Sequence, residues 1–517
     1  MTAIKTAADL GLPATFNAAT HFVDRHLREG RGGRVAIECG DERVTYAELA
    51  ERVNRLGNAL RGELGVRAEE RVLLLLLDTP AFHVAFFAAI KIGAVPIPVN
   101  TLWKTTDYRH VLDDSRARVA IVSEELRSKI TAIDRDAVPA LRHLVVAGPE
   151  LDGLMARGSA TLDAEATSRD APAFWLYSSG STGAPKGCVH LQHDMVVCAE
   201  LFAKGVLNIG ERDRCFSVAK LFFAYGLGNA GYFPLAVGAT SILLPGPPAA
   251  ASVFATIARH RPTIFSSVPT GFAMLLAHAG EFDLSSVRVA VSAGESLPAP
   301  LYERFKQRFG VDILDGIGST EALHMFTSNR PGAIRPGSSG LIVPGYAAAI
   351  LDEKKQPVPQ GEMGDLWISG DSICAAYWNQ HEKTKATIHG DWMRTGDRYR
   401  QDADGYYWHG GRSDDMLKVG GQWVSPIEVE TALLAHAAVH ECAVVAREDA
   451  DALIKPMAFV VLRAGVEASP ALAVELQQFV RETLPEYKRP RWVEFLPALP
   501  RTPTGKLQRF KLRPSAA

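Results

Sequence analysis

From about residue 40 to residue 350, short apolar runs alternate with longer stretches of helical periodicity, which restricts the chain to layered α/β architectures built on largely parallel sheets. The strand-like runs include Arg71–Leu77, Val119–Val122, Leu144–Val146, Thr240–Leu244, Val287–Ser292 and Asp312–Leu314. Between them lie segments such as Tyr46–Arg61, where Leu49, Val53, Leu56 and Leu60 recur along one helix face. The run Val72–Leu77 is too short to cross a bilayer and reads as a strand buried on both faces.

At 517 residues the chain exceeds what one hydrophobic core organises, so two or more domains are expected. After Gly345 the texture changes to short alternating strands, with turns at Gly361-Glu-Met-Gly and Asp402-Ala-Asp-Gly, as in a small β-rich subdomain. Beyond Gly410-Gly-Arg-Ser-Asp-Asp415 it changes again. Helix Pro426–Ala435, strands Glu441–Ala446 and Met457–Leu462, and helix Ala471–Thr483 are expected to form a compact α+β unit. The expected division is therefore residues 1–413, two α/β layers with the β-rich subdomain, and residues 414–517, a smaller α+β domain.

Charge and cysteines narrow the function classes. A formal net charge of −2 gives no overall basic field to draw in nucleic acid or anionic lipid, so an anionic substrate must be held by local groups. The six cysteines occur singly with no C-x-x-C pair, which argues against a structural zinc site or a disulfide framework and fits a reducing compartment. No apolar run follows Met1-Thr-Ala-Ile-Lys5, so no secretory signal is visible and a cytoplasmic protein is expected.

The densest chemistry lies in Tyr177-Ser-Ser-Gly-Ser-Thr-Gly-Ala-Pro-Lys-Gly187, which follows the strand-like Phe174–Tyr177. Gly180, Gly183 and Gly187 allow tight turning and close approach to a ligand. Ser178, Ser179, Ser181 and Thr182 add hydroxyl donors, and Lys186 adds a positive charge. Together they describe a cradle for phosphate oxygens. A plain Gly/Ser stretch would be a surface loop; the concentration of hydroxyls, glycines and lysine favours the cradle. Its spacing is not that of the common NTPase P-loop.

This segment resembles the signature loop of the adenylate-forming superfamily of acyl-CoA synthetases, peptide-synthetase adenylation domains and beetle luciferases, and further motifs follow in the family's order. Ser292-Ala-Gly-Glu-Ser296 is similar to its adenine-side loop, which implicates Gly294, Glu295 and Ser296. Asp315-Gly-Ile-Gly-Ser-Thr-Glu321 resembles the motif in which Asp315, Gly316 and Ile317 would line adenine, Thr320 would grip phosphate and Glu321 would hold Mg²⁺. By itself a Thr-Glu pair is only a helix start. Asp397, in Trp392-Met-Arg-Thr-Gly-Asp397, would accept the ribose hydroxyls, as an ionised carboxylate can. Arg412 would also reach the ribose; in isolation it would read as a surface salt bridge. Asp414 would be the hinge of a mobile C-terminal domain. Lys506, in Pro500-Arg-Thr-Pro-Thr-Gly-Lys506, would neutralise charge as pyrophosphate leaves. Alone, a lysine so near the end would be a solvated one.

Two segments resemble benzoate–CoA ligases in particular: Ala219-Lys-Leu-Phe-Phe-Ala-Tyr-Gly-Leu-Gly-Asn229, and Gly316–Met325 with a histidine three residues after the glutamate. The resemblance places Ala224, Tyr225, Phe233, Gly318, His324 and Met325 around an aromatic ring. Tyr225 and Phe233 offer ring faces, Gly318 leaves room for a flat guest, and Met325 is an adaptable wall. Phe222 and Phe223 are read as core. Ala322, Met325, Thr327 and Ala230-Gly-Tyr232 depart from that group's pattern, which opens the pocket to 2-aminobenzoate or a hydroxybenzoate as well as benzoate. Lys418-Val-Gly-Gly-Gln422 resembles the loop that enters for thioester formation, with Gly420 and Gly421 giving the pantetheine arm room.

The implied activity is ATP-, Mg²⁺- and CoA-dependent formation of an aryl-CoA through an acyl-adenylate, with small-molecule partners, in a monomer or homodimer. The alternatives are an aryl-acid adenylating enzyme that loads a separate carrier protein, and a non-catalytic ligand-binding pseudoenzyme. A fatty-acyl ligase fits the short aromatic pocket less well.

Overall fold

Two sheets with parallel cores build the body of the molecule. The computed structural model describes residues 4–178, 185–413, 415–419, 422–450, 453–501 and 507–513. A nine-stranded sheet runs Leu341–Ile342, Met325–Ser328, Ile313–Gly318, Val289–Ser292, Ile264–Ser267, Arg214–Ser217, Thr240–Leu243, Val35–Cys39 and Glu42–Thr45. Its six central strands are parallel and both flanks are antiparallel. A second, wholly parallel sheet orders Val95–Pro98, Arg71–Leu75, Val119–Val122 and His143–Val146.

Helices cover these sheets with the faces their periodicity specifies. Helix Tyr46–Gly62 buries Leu49, Val53, Leu56 and Leu60 completely. It begins at a capping box in which the Glu48 N–H donates to Thr45 Oγ1 at 3.2 Å and the Thr45 N–H donates to Glu48 Oε2 at 2.7 Å. Such a cap contributes on the order of 1 kcal/mol.

The antiparallel pair Pro172–Ser178 and Lys186–Leu191 brings Lys186 back opposite Ser178, and Ala376–Tyr377 adds to its outer edge. A five-stranded sheet joins Ala347–Leu351, Gly364–Ser369, Trp392–Gln401, Ile388–His389 and Tyr407–Arg412. It is the expected β-rich subdomain. Towards the C-terminus, a separate apolar cluster from Leu417 to Val480 lies under helices Pro426–Leu434 and Pro470–Thr483 and the sheet of Val439–Glu448, Ile454–Leu462 and Trp492–Phe495. Among the described residues, no helix is long and apolar enough to cross a membrane.

Sequence periodicity missed the hairpin Leu417–Val419/Gln422–Val424 and the strand Trp492–Phe495. It also stopped the strand Ile313–Gly318 early. Gly316 and Gly318 look like breakers, yet both are set by the returning strand. A Cβ on Gly316 would stand 2.2 Å from the Thr327 carbonyl oxygen, and one on Gly318 would stand 2.4 Å from the His324 carbonyl oxygen. Gly318 is therefore required by close backbone approach, not only by room for a guest.

Candidate active site

The parallel strands Arg214–Ser217, Ile264–Ser267, Val289–Ser292 and Ile313–Gly318 end on one edge of the large sheet, where open α/β sheets gather ligands. The expected Ser292–Ser296 and Asp315–Glu321 motifs both start there. Beyond this edge, Lys186 Nζ lies 3.0 Å from Glu321 Oε1, and the Tyr377 hydroxyl donates to the same oxygen at 2.8 Å. The Lys186 ammonium also sits 3.9 Å from the centre of the Tyr377 ring. Burial opposes the Glu321 charge, but Lys186 and Tyr377 outweigh it and hold the carboxyl below its ordinary range. Both bonds fall on Oε1. An ionised hard oxygen of this kind suits Mg²⁺, which takes one or two carboxylates and completes its shell with phosphate and water. Among the described residues no cluster of three metal-binding side chains occurs, in keeping with an ion shared with a nucleotide.

Glu321 sits in a turn whose backbone is held from outside. The Thr320 carbonyl accepts from the Leu323 N–H at 3.2 Å and faces His190 Nε2 at 2.8 Å. The Glu321 carbonyl accepts from the Cys374 N–H at 2.7 Å, and the Ala322 carbonyl accepts from Ser372 Oγ at 2.8 Å. Leu323 completes the turn at φ +65°, a left-handed conformation that disfavours a branched side chain.

Asp397 and Arg412 face each other across adjacent strands, with Arg412 Nη1 3.2 Å from Asp397 Oδ1. His409 Nε2 stands 3.6 Å from that oxygen, and its Nδ1 lies 2.7 Å from Ser296 Oγ. Burial opposes the Asp397 charge; His409 and Arg412 prevail and keep the carboxyl below its usual range. This patch therefore joins the expected adenine-side and ribose-side motifs. Asp315, paired with Ser292 on the large sheet, is buried, accepts weakly from the Leu297 N–H at 3.5 Å, and is pushed by burial up to about 8. Glu295 Oε1 is 3.7 Å from Arg501 Nη1, and Arg501 also reaches Glu441 at 2.6 Å. The Ile317 N–H approaches Thr327 Oγ1 at 3.4 Å.

The expected ring-binding residues converge on His324. Its ring centre lies 5.7 Å from Tyr225 in a stacked pose, 4.5 Å from Phe233 edge-on and 5.0 Å from Phe202. His324 is 2% exposed, and neither ring nitrogen has a hydrogen-bond partner at normal geometry among the described residues. Burial lowers its pKa to about 3, so it is neutral. The Tyr225 hydroxyl is fixed by the Val291 carbonyl at 2.8 Å and points away from solvent. Met325 is buried with its methyl against Gly316, and Ala224 opens the short helix Ala224–Gly226 nearby. Phe222 is core, as expected. Phe223 is 37% exposed and is not; its ring meets that of Phe222 in a tilted pose at 4.5 Å.

Ser178 closes its strand opposite Lys186. Ser179, Gly180, Ser181, Thr182, Gly183, Asp414, Gly420, Gly421 and Lys506 lie outside the described residues, as does the Lys418 side chain. Sequence reasoning missed Tyr377, His409 and Phe202. His409 stands three residues before Arg412, a signal that could have been used; Tyr377 and Phe202 are brought in only by the fold.

Comparison with known proteins agrees with this geometry. Residues 23–378 match the AMP-binding enzyme family and residues 428–506 match the AMP-binding enzyme C-terminal domain. A benzoate–CoA ligase of Thauera aromatica is 51% identical, with 98% of each chain covered. Among solved structures, an anthranilate CoA ligase in complex with anthranoyl-AMP superposes with a TM-score of 0.93 at 45% identity, covering 98% of each chain. A benzoate CoA ligase from Burkholderia xenovorans gives 0.89 at 46% identity, over 96% of this chain and 100% of the other. A turn that presents a charged glutamate to a lysine, an aspartate–arginine pair at the expected motif and these full-length matches lead to one assignment: the chain belongs to the family of AMP-binding enzymes.

Proposed function

We propose that this chain is an AMP-forming aryl carboxylate–CoA ligase that takes benzoate or a benzoate with one small ring substituent. The observation that carries this reading is that a single turn, Thr320–Met325, presents Glu321 to Lys186 and places His324 in a cage of Tyr225, Phe233 and Phe202. Chemistry for a nucleotide and a slot for a flat ring are thus three residues apart. Full-length similarity to benzoate and anthranilate ligases supports the same substrate class.

In this reading the carboxylate attacks the α-phosphorus of ATP and pyrophosphate leaves. Lys186, Thr320 and the loop containing Ser178, Ser179, Gly180, Ser181, Thr182 and Gly183 offset the charge on the phosphates, and Lys506 neutralises the reacting carboxylate and α-phosphate. Glu321 would hold Mg²⁺, which would supply further charge neutralisation. Asp397 and Arg412 fix the ribose, and Gly294, Glu295, Ser296, Asp315, Gly316 and Ile317 border the adenine. The acyl-AMP then carries a good leaving group for the CoA thiol. Residues 414–517 act as a domain that swings about Asp414 and exchanges Lys506 for the Lys418–Gly421 loop between the two half-reactions. The enzyme works in the cytoplasm, as a monomer or homodimer.

The deciding experiment supplies MgATP and CoA with benzoate, 2-aminobenzoate, each hydroxybenzoate and a medium-chain fatty acid, and identifies acyl-CoA products by mass. One dominant aromatic thioester is expected. Acyl-AMP without any CoA ester would replace CoA by a carrier protein as acceptor, and no AMP with any acid would overturn catalysis altogether.

A further inference from the structure

Directly behind the Thr320–Leu323 turn lies a buried chain of charges that none of the motifs contains. His190 and Asp194 are wholly excluded from solvent. His190 Nδ1 is 2.8 Å from Asp194 Oδ2, and its Nε2 is 2.8 Å from the Thr320 carbonyl oxygen. Asp194 Oδ2 also accepts the Leu191 N–H at 3.1 Å. Both ring nitrogens of His190 therefore face oxygens, and a carbonyl can only accept. Each bond needs a proton on the nitrogen unless Asp194 carries one itself.

The neighbouring histidine braces Asp194 from its other side. His193 has Nδ1 2.9 Å from the Arg169 carbonyl and Nε2 3.0 Å from the Asp371 carbonyl. Its Nε2 also lies 3.3 Å from Asp194 Oδ1. Burial opposes the charge on His193, yet Asp194, the two carbonyls and Asp371 raise its pKa above the ordinary value. Asp170, at 3.4 Å, and Asp371, at 3.8 Å, are the other carboxylates facing it. Asp194 thus lies between the two histidines, and the His190 ring is fixed between Asp194 on Nδ1 and the Thr320 carbonyl on Nε2. The Phe174 ring is stacked on His190 at 5.2 Å and 21°, a surface that accepts a cation.

We propose that His190 is a positioning residue for the nucleotide-binding turn: braced by Asp194 at Nδ1, it clamps the Thr320 carbonyl through Nε2 and so aims Thr320 and Glu321. His190 stands on the same strand as Lys186, four residues on, so one strand delivers the lysine to Glu321 and the clamp to the turn that carries it. The Thr320 carbonyl is also the acceptor that closes the turn on Leu323. A second donor on that oxygen stabilises a turn that left-handed Leu323 strains. This rests on Thr320–Glu321 being the nucleotide-handling turn.

The test uses the full-length enzyme and its Asp194→Asn, His190→Gln and His190→Phe variants, with three readouts. Benzoate-dependent ATP–pyrophosphate exchange is expected to lose about ten-fold in kcat in Asp194→Asn and more in His190→Phe, with a raised KM for MgATP. The KM for benzoate is expected to stay within about two-fold, a split that general loosening of the fold would not give. In ¹⁵N-histidine NMR, the resonances lost on His190→Gln are expected to include a protonated, hydrogen-bonded Nε2. Wild-type exchange in Asp194→Asn and His190→Phe, an unprotonated His190 Nε2, or failure of all three variants to fold would each overturn the proposal, since its role is local. If the wild-type enzyme activates no aromatic acid, the functional reading fails while the NMR result still decides whether His190 Nε2 donates to the turn.

Discussion

The nucleotide-side groups and the ring-side groups are built on opposite electrostatic plans, although one turn joins them. On the nucleotide side Glu321 and Asp397 each already have a cationic neighbour: Glu321 has Lys186, and Asp397 has Arg412. On the ring side, His324 sits among aromatic rings with no hydrogen-bond partner of normal geometry for either nitrogen among the described residues. The first region is set in advance, and a ligand must exchange its contacts for existing ones. The second holds a buried polar group whose desolvation is offset only when something polar arrives. The difference teaches which side governs rate and which governs choice of acid.

Glu321→Gln should break the first region most severely. It removes the charge that faces Lys186 and, in the proposed function, would hold Mg²⁺, and we expect adenylation measured by pyrophosphate exchange to fall about a hundred- to a thousand-fold. The relative preference among benzoates should not change; a changed preference would mean that the two regions are not separable. Asp397→Asn should follow, with KM for ATP raised by roughly ten-fold through loss of charge-assisted bonds to the ribose, again without altering acid preference.

His324→Leu should do the opposite. The ratio of kcat/KM for 2-aminobenzoate to that for benzoate should shift by roughly ten-fold, while KM for ATP holds. The same change should raise stability to urea by on the order of 1 kcal/mol, because an unpaired buried polar group is removed. A destabilised leucine variant would show that His324 is satisfied in the free enzyme.

A further effect is expected on the pH dependence of stability. Asp315 has its pKa raised in the folded protein to about 8, against an ordinary 3.8. The folded chain therefore keeps a proton that the unfolded chain has lost. Its contribution is complete below pH 4 and fades as pH rises towards 8, at about 1.4 kcal/mol per unit at most. Asp315→Asn should flatten urea midpoints across that window; an unchanged slope would mean that Asp315 is ionised in the fold.

Much of this was legible because local chemistry and periodicity carry it. Val119–Val122 was placed to the residue, and helix Tyr46–Arg61 within one, since burial on one face writes itself into spacing. Lys186, Glu321, Asp397 and Arg412 were found through motifs, and the fold brings them into two pairs that the motifs did not specify. Tyr377 could not be found that way. It reaches Glu321 from a two-residue edge strand more than fifty positions later, a contact that only sheet pairing creates. His190 was equally hidden, because nothing in Lys186–Leu191 reveals that its ring would meet the Thr320 carbonyl.

The clamped turn also bears on how such a chain can change over generations. Three successive carbonyls, those of Thr320, Glu321 and Ala322, are held by groups from other elements, and the fully buried Leu323 anchors the exit. Side chains at 324 and 325 can therefore be exchanged without moving the glutamate just before them. A lineage built on this scaffold can try new aromatic diets one replacement at a time while its activation chemistry stays intact.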